Sequence, residues 1–320
     1  MIELYDITDR ARRAIAARKP PERMPTVGTF QQAKQMALDN ATRPRDAAKL
    51  CRTGMGRVDY ITGGIRPGFC WLVGGDTNVG KSTFAVSVAV HNLLRGLGVL
   101  IVSAEDPIEL YGARFLCREL KISAMGLRDG KLSELDKERI RDNVDESVPW
   151  PVYISADGVP LEEVCKWVEW AIEEYDIKLT IWDYLQEFRL GRQLENDRLS
   201  TKQKAKLMRT TARSTNTAEI TLSQLTLSEK TTIPTRQNIR DCRDAAHGAD
   251  VIGLLFEKPA DKDDIGQPPD RMLFLDKVKD GPAKIIVSLD WDQFSASFRE
   301  QLPETSEEPP EGIEEFDTGF

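Results

Sequence analysis

Gly74-Gly-Asp-Thr-Asn-Val-Gly-Lys-Ser-Thr83 is the stretch whose reading decides the fold. It follows the apolar run Phe69-Cys-Trp-Leu-Val73, which reads as a short buried strand. It opens onto Thr83–Leu94, where apolar residues recur at helical spacing. Within it, Gly75-x-x-x-x-Gly80-Lys81-Ser82 fits the phosphate-binding loop pattern, in the strand-to-helix context that the chemistry needs. Small residues let the backbone N–H groups of Gly75, Asp76, Thr77, Asn78, Val79, Gly80 and Thr83 turn onto phosphates. The helix adds its positive dipole end. Lys81 would reach the β- and γ-phosphates, and the Ser82 hydroxyl would ligate Mg²⁺. The stretch predicts a nucleotide-binding protein.

Outward from this loop, strands and helices alternate between Cys51 and about Phe298. Strands are expected at Val99–Ser103, Val152–Ser155, Leu179–Asp183, Ile220–Ser223, Val251–Phe256, Met272–Leu275 and Ile285–Leu289, and an amphipathic helix at Leu161–Tyr175. This order argues an α/β fold with a mainly parallel sheet covered by helices on both faces. Asp280-Gly281 reads as a hairpin turn, so an antiparallel edge is expected at the C-terminal side. Residues 1–50 form a separate helical extension. Apolar residues at 2, 4, 7, 11, 14 and 15 give Ile2–Arg18 one greasy face, and Thr29–Asn40 reads as a second short helix. These pieces are too small for a core and are expected to dock on the body or on a neighbouring subunit. The expected division is an extension at 1–50, a body at 51–299 and a tail at 300–320.

Charged residues make up 30% and hydrophobic ones 40%, a soluble globular balance. No apolar run approaches the length of a membrane span, and the first ten residues lack a signal-peptide core. Five cysteines without a CxxC pair, beside only His91 and His247, argue against a disulfide framework or a zinc site. A reducing cytoplasm fits. The net charge of −8 sits in the tail. Eight of the 52 acids lie from Glu300 onward with no Lys or Arg, so residues 1–299 balance 44 acids against 44 bases. A neutral body is compatible with a basic channel, so nucleic acid is not excluded.

Asp183 ends a buried strand, where an acid beside a phosphate-binding loop can hold the Mg²⁺ shell. Glu105 ends the strand after the loop's helix, in position to polarise an attacking water. Gln224 follows the strand Ile220–Ser223 and would sense the γ-phosphate. Lys277 and Lys279 share one strand face by alternation. They read either as positive fingers on a neighbouring subunit's nucleotide or as solvated protection of an edge strand. Two stretches read as basic loops. Phe188–Lys206 holds Arg189, Arg192, Arg198, Lys202, Lys204 and Lys206, and Thr226–Gly248 holds Lys230, Arg236, Arg240 and Arg243. Lining a central channel, they would neutralise phosphates without reading bases. A plain solvated surface is the other reading.

In this order the residues resemble the ATPase domain of DnaB-type replicative helicases, members of the RecA-like ATPases. The resemblance runs from Thr53-Gly-Met-Gly-Arg-Val-Asp59 and Gly63-Gly-Ile-Arg-Pro-Gly68 through Ser103-Ala-Glu105 with Arg114, Trp182-Asp-Tyr-Leu-Gln186 and Leu222-Ser-Gln-Leu225. It continues in Ile239–Asp250 and Lys277-Val-Lys-Asp-Gly-Pro282. It implies a hexameric ring that hydrolyses ATP with Mg²⁺ at subunit interfaces and moves along single-stranded DNA, with 5′-to-3′ polarity. It also implies that Glu105 is the catalytic base, that Arg114 lies at the nucleotide base, and that Arg240 and Asp241 grip the DNA backbone.

Three departures stand out. Lys279 replaces the family's finger arginine and lacks its planar two-point contact. Arg243 stands where the family's DNA loop has glycine. The family's N-terminal primase-contacting domain has no counterpart, and the reduced architecture suggests a phage or mobile element. Paired lysines also occur in strand-exchange recombinases, so a filament-forming recombination or repair ATPase is the alternative. A non-unwinding assembly or loading module is a third. The acidic tail ending Phe316-Asp-Thr-Gly-Phe320 resembles the partner-docking tips of single-strand-binding proteins. It is open to three readings: docking replication partners, mimicking DNA in the channel, or solubilising the chain.

Overall fold

The computed structural model describes residues 49–145, 153–227, 233–239, 243–258, 270–292, 294, 295 and 297–300, with scattered positions between 12 and 38. Helix α1 (Gly56–Thr62) leads into β1 (Cys70–Gly75), α2 (Lys81–Leu94) and β2 (Gly98–Ser103). Helices α3 (Ile108–Leu120), α4 (Ala124–Arg128) and α5 (Glu134–Asp145) precede β3 (Tyr153–Ser155). There follow α6 (Leu161–Tyr175), β4 (Ile177–Asp183), α7 (Asp197–Thr215) and β5 (Ala218–Gln224). A short helix α8 (Arg243–Gly248) opens a run of four strands: β6 (Val251–Glu257), β7 (Arg271–Val278), β8 (Ile285–Asp292) and β9 (Ser297–Glu300).

These strands form a single nine-stranded sheet in the order β3-β2-β4-β5-β1-β6-β7-β8-β9. The pairings from β3 across to β6 are parallel, and those from β6 to β9 are antiparallel. The parallel part is buried on both faces, which is why its strands read as continuous apolar runs. In β2, Val99 and Ile101 enter the core beneath α2, while Leu100 and Val102 enter the core beneath α6 and α7. Helix α2 buries Phe84, Ala85, Val88 and Ala89, and α6 buries Leu161, Val164, Cys165, Val168 and Ile172, both at helical spacing. The expected α/β architecture with an antiparallel hairpin at its C-terminal side is present. The hairpin turns at Asp280-Gly281 between β7 and β8.

Two features differ from the sequence expectation. The first basic stretch is not a loop throughout, because Asn196 caps α7 by accepting from the Leu199 N–H (2.9 Å), and the helix runs to Thr215. Lys204 therefore faces inward at 7% exposure, its Nζ donating to the Gln186 carbonyl at 2.8 Å. It is a strut between α7 and the turn after β4. The second difference is the extra strand β9, which folds back against α2. Phe298 N–H donates to Ser87 Oγ (3.1 Å), and its ring packs on Trp291 at 4.9 Å between centroids. The helices expected in residues 1–50 fall largely outside the described residues. Within them, positions 12, 13, 15–17, 31, 34, 35 and 38 are helical. The expected tail beyond Glu300 lies outside the described residues.

Phe298 is 2% exposed and roofs the start of α2. Phe298→Ala should lower stability by about 3–5 kcal/mol, the usual cost of emptying a buried phenyl site. Urea unfolding followed by circular dichroism measures it; a loss under about 1 kcal/mol, the cost of a well-tolerated swap, would mean that β9 is only loosely seated.

Candidate nucleotide-binding site

Strand β1 lies between β5 and β6, and the chain leaves its C-terminal end through Asp76–Gly80 before starting α2. Gly80 takes φ +101°, a left-handed conformation that turns the next N–H groups toward the cleft. A Cβ at this position would meet the Phe298 ring at 2.9 Å, so shape and conformation both require glycine. The first helical turn closes with the Phe84 N–H on the Gly80 carbonyl (2.8 Å). Lys81 folds back over the loop, its Nζ donating to the carbonyls of Gly75 (3.0 Å) and Asp76 (2.8 Å).

The loop floors a cleft of about 350 Å³. Thr77, Asn78, Gly80, Lys81, Ser82 and Thr83 line it from the P-loop side. Glu105, Asp106, Arg114, Asp183, Tyr184, Gln224 and Trp291 line it from the surrounding strand ends. Residues up to 214 positions apart in sequence thus share one wall, because the strand ends of a parallel sheet converge on one crevice. Gln224 Nε2 donates to Thr77 Oγ1 (3.1 Å), while its backbone N–H donates to Gln186 Oε1 (3.1 Å). Leu225, the next residue, bridges Ile239, so the cleft is joined directly to the second basic segment.

Electrostatically the cleft is a cluster of acids around one amine. Burial pushes the Lys81 amine below its ordinary range, against the opposing pull of Asp183, Asp76 and Glu105. Burial raises the Glu105 carboxyl, and the neighbouring Asp106, Glu187 and Asp183 raise it further, with Lys81 opposing. Burial also raises Asp183, which is 3% exposed, while hydroxyls from Tyr111 and Ser82 pull it back down by bonding its charged form. Asp106 is taken by Arg114, whose Nη1 lies 2.7 Å from Asp106 Oδ2.

Among the described residues no three His, Cys, Asp or Glu side chains converge as a metal cage. Mg²⁺ bound with a nucleotide needs none, since one or two carboxylates, phosphate oxygens and waters complete its shell. Ser82 favours the charged form of the Asp183 carboxylate, and the hydroxyl and carboxylate together make a donor set suited to that ion.

The remaining expected residues lie elsewhere. Lys277 and Lys279 are absent from the cleft wall. Lys277 Nζ donates to the carbonyls of Ala249 (2.5 Å) and His247 (3.3 Å), and Lys279 Nζ pairs with Asp250 Oδ1 at 3.0 Å. Asp250 also accepts the Cys70 N–H, so both lysines sit at the starting end of β1. At about 3.3 Å rise per residue, that is roughly 16 Å from Gly75. Arg189, Arg192 and Arg198 are exposed. Arg236 is held within the chain, its Nε 2.6 Å from the buried Asp276 carboxylate, so its guanidinium faces β7 instead of standing free in a channel. Lys230, Arg240 and Asp241 lie outside the described residues, as does the side chain of Arg243, which opens α8.

Sequence reasoning missed Asp106, Tyr111, Tyr184 and Trp291 as members of the site. Tyr111 had a legible signal, three residues before Arg114 on one helix face. Trp291 had none, because only the return of β8 and β9 across the sheet brings it to the loop.

Gly80→Ala forces a Cβ into the Phe298 ring at a positive φ and should cost roughly 1–3 kcal/mol. Titration with a fluorescent ATP analogue should show binding lost at the same time. Unchanged affinity would mean that the loop does not need this turn.

The DnaB-like helicase C terminal domain profile matches residues 51–300. The replicative DNA helicase DnaB of Leifsonia xyli is 23% identical over 292 residues, covering 89% of this chain and 64% of the relative. The replicative DNA helicase DnaC of Bacillus subtilis is 26% identical over 210 residues, covering 64% of this chain and 46% of the relative. The chain therefore spans about half to two thirds of the length of these relatives. Among solved structures, a DnaB-like replicative helicase superposes with a TM-score of 0.75 at 17% identity, covering 85% of this chain and 68% of that one. The RadB recombinase superposes less well, with a TM-score of 0.52 at 15% identity over 79% of this chain and all of that one. With the profile covering the whole sheet and every wall of the cleft, the chain belongs to the DnaB-like helicase C-terminal domain family.

Proposed function

We propose that this chain is an ATP-driven motor of the DnaB type, hydrolysing ATP at the interfaces of a homo-hexameric ring and moving along single-stranded DNA during replication in the cytoplasm. Residues 51–299 form the motor, 1–50 link neighbouring subunits, and 300–320 meet replication partners. The observation that carries the reading is a separation. The cleft gathers Lys81, Ser82, Asp183, Glu105 and Gln224, while Lys277 and Lys279 stand at the far end of β1. Such cations cannot reach their own chain's phosphates. We read them as fingers on a neighbour's, released on assembly from Asp250 and the Ala249 and His247 carbonyls, so that a complete site needs two subunits.

Within one site, Lys81 would exchange its loop carbonyls for the β- and γ-phosphates, and Ser82 with Asp183 would hold the cation. Bound Mg²⁺ supplies charge neutralisation on the phosphates. Glu105 accepts the proton of the water that attacks the γ-phosphorus, and ADP leaves as the bond to the β-γ bridging oxygen breaks. Gln224 passes the change through Leu225 and Ile239 to the segment carrying Arg240 and Asp241, and Arg114 lies toward the nucleotide base. Exposed Arg189, Arg192 and Arg198, with Lys230 and Arg243, supply salt-sensitive contacts to the DNA backbone. The recombinase alternative gains only the paired lysines, against a closer fold match to a DnaB-like replicative helicase.

The test is sedimentation of the full chain with a non-hydrolysable ATP analogue and an oligonucleotide, paired with ATPase assays with and without single-stranded DNA. A ring and a stimulated rate are expected; a persistent monomer would overturn the proposal. Glu105→Gln should abolish turnover while sparing nucleotide binding. A base must be ionised to work, and the Glu105 carboxyl is raised. The rate should therefore fall on acidification at a pH above the ordinary glutamate value of about 4.3. An acid limb at or below that value would remove Glu105 from the role.

A further inference from the structure

Tyr111 is the side chain at the site to which no motif gives a task. It sits on α3 at 2% exposure, and its hydroxyl donates to Asp183 Oδ2. Asp183 is thus tied to α3 by the Tyr111 hydroxyl, while Ser82 at the start of α2 lies near enough to favour its charged form. An aspartate has a broad terminal torsion when left alone. The Tyr111 donor restricts that torsion.

Tyr111 is itself braced. The Arg114 guanidinium lies 5.3 Å over its ring centroid, and the Tyr153 ring packs against it at 5.5 Å. Both braces end on one residue: Arg114 pairs with the Asp106 carboxylate, and the Tyr153 hydroxyl donates to the Asp106 carbonyl (2.5 Å). Asp106 is the neighbour of Glu105. The cluster therefore ties the carboxylate at the end of β4 to the turn that carries the proposed base.

We propose that Tyr111 is a positioning residue for the nucleotide-bound divalent cation, setting the Asp183 carboxylate toward Ser82 and locking it to the Glu105 turn. This rests on the nucleotide–Mg²⁺ reading of the cleft. The donor acts one step behind the ion, and loss of such an outer partner commonly weakens metal binding by about 10–100-fold.

The test uses the full chain and Mn²⁺ as the probe, with affinity in the presence of ADP followed by electron paramagnetic resonance. Tyr111→Phe should weaken Mn²⁺ binding by about ten-fold or more, while ADP affinity measured in EDTA stays unchanged. Tyr153→Phe removes a hydroxyl from the same cluster that does not touch Asp183, and it should leave Mn²⁺ affinity unchanged. Equal Mn²⁺ affinity in the wild type and Tyr111→Phe would overturn the positioning role. An equal loss in Tyr153→Phe would overturn it too, by showing general loosening. If the wild type binds no Mn²⁺ with ADP, it is the nucleotide reading itself that fails. Thermal unfolding of each variant confirms that folded protein is compared.

Discussion

The backbone turn at Gly80, pressed beneath the Phe298 ring, is the constraint on which the rest depends. It converts the end of a buried strand into a helix start whose N–H groups open onto solvent. Gly80 offers no side-chain cap to the first donors of α2, and uncapped donors at a helix N-terminus are the reason anions settle there. The ring that leaves no room for a side chain at this turn comes from β9, the last described strand. The phosphate-binding loop is therefore shaped by residues more than 200 positions downstream, and the antiparallel addition to the sheet is part of the site's mould.

The acids around that loop explain its electrostatic character. Asp183 and Glu105 are both pushed toward their neutral forms by burial, and Asp106 adds like charge. Lys81 alone cannot balance them, and Arg114 is engaged with Asp106. Such a cleft would gain most from a ligand that arrives as phosphate with its own cation: phosphates would compete with the loop carbonyls for Lys81, and a cation would relieve Asp183. The Tyr111 hydroxyl orients that carboxylate, so the protein places a hydroxyl donor where a second carboxylate would add repulsion.

Coupling has a physical route in the same contacts. Gln224 touches the loop at Thr77 and the β4 turn through Gln186, and Lys204 reaches the same turn from α7. Beyond Leu225 the chain crosses to Ile239, and Arg236 then anchors this segment to the buried Asp276 on β7. Asp276 also pairs with Lys284, while Lys277 and Lys279 follow immediately along the chain. A shift at Thr77 would thus meet a chain of contacts through Gln224, Leu225, Ile239 and Arg236 to β7.

Much of this was legible from residues alone, because it depends on local rules. The Gly75–Ser82 spacing, the apolar runs of a doubly covered sheet, Asp183 and Glu105 at strand ends, and the Asp-Gly hairpin each carry their signal within a few residues. Helix α7 was hidden because its buried face, Thr201, Lys204, Met208, Thr211 and Ala212, is mostly polar. Polar groups there find partners instead of apolar contact, so hydrophobic periodicity does not report the helix. Arg236 and Lys204 looked like free cations for the same reason: composition records a charge but not the carboxylate or carbonyl that meets it. The sequence by itself determined the fold class and the phosphate-binding chemistry, since both are written in short-range pattern. Only the tertiary structure decided which cations are engaged within the chain, that Tyr111 bonds Asp183, and that the Phe298 ring leaves no room for a side chain at Gly80, because these contacts join distant segments through packing that no spacing rule encodes.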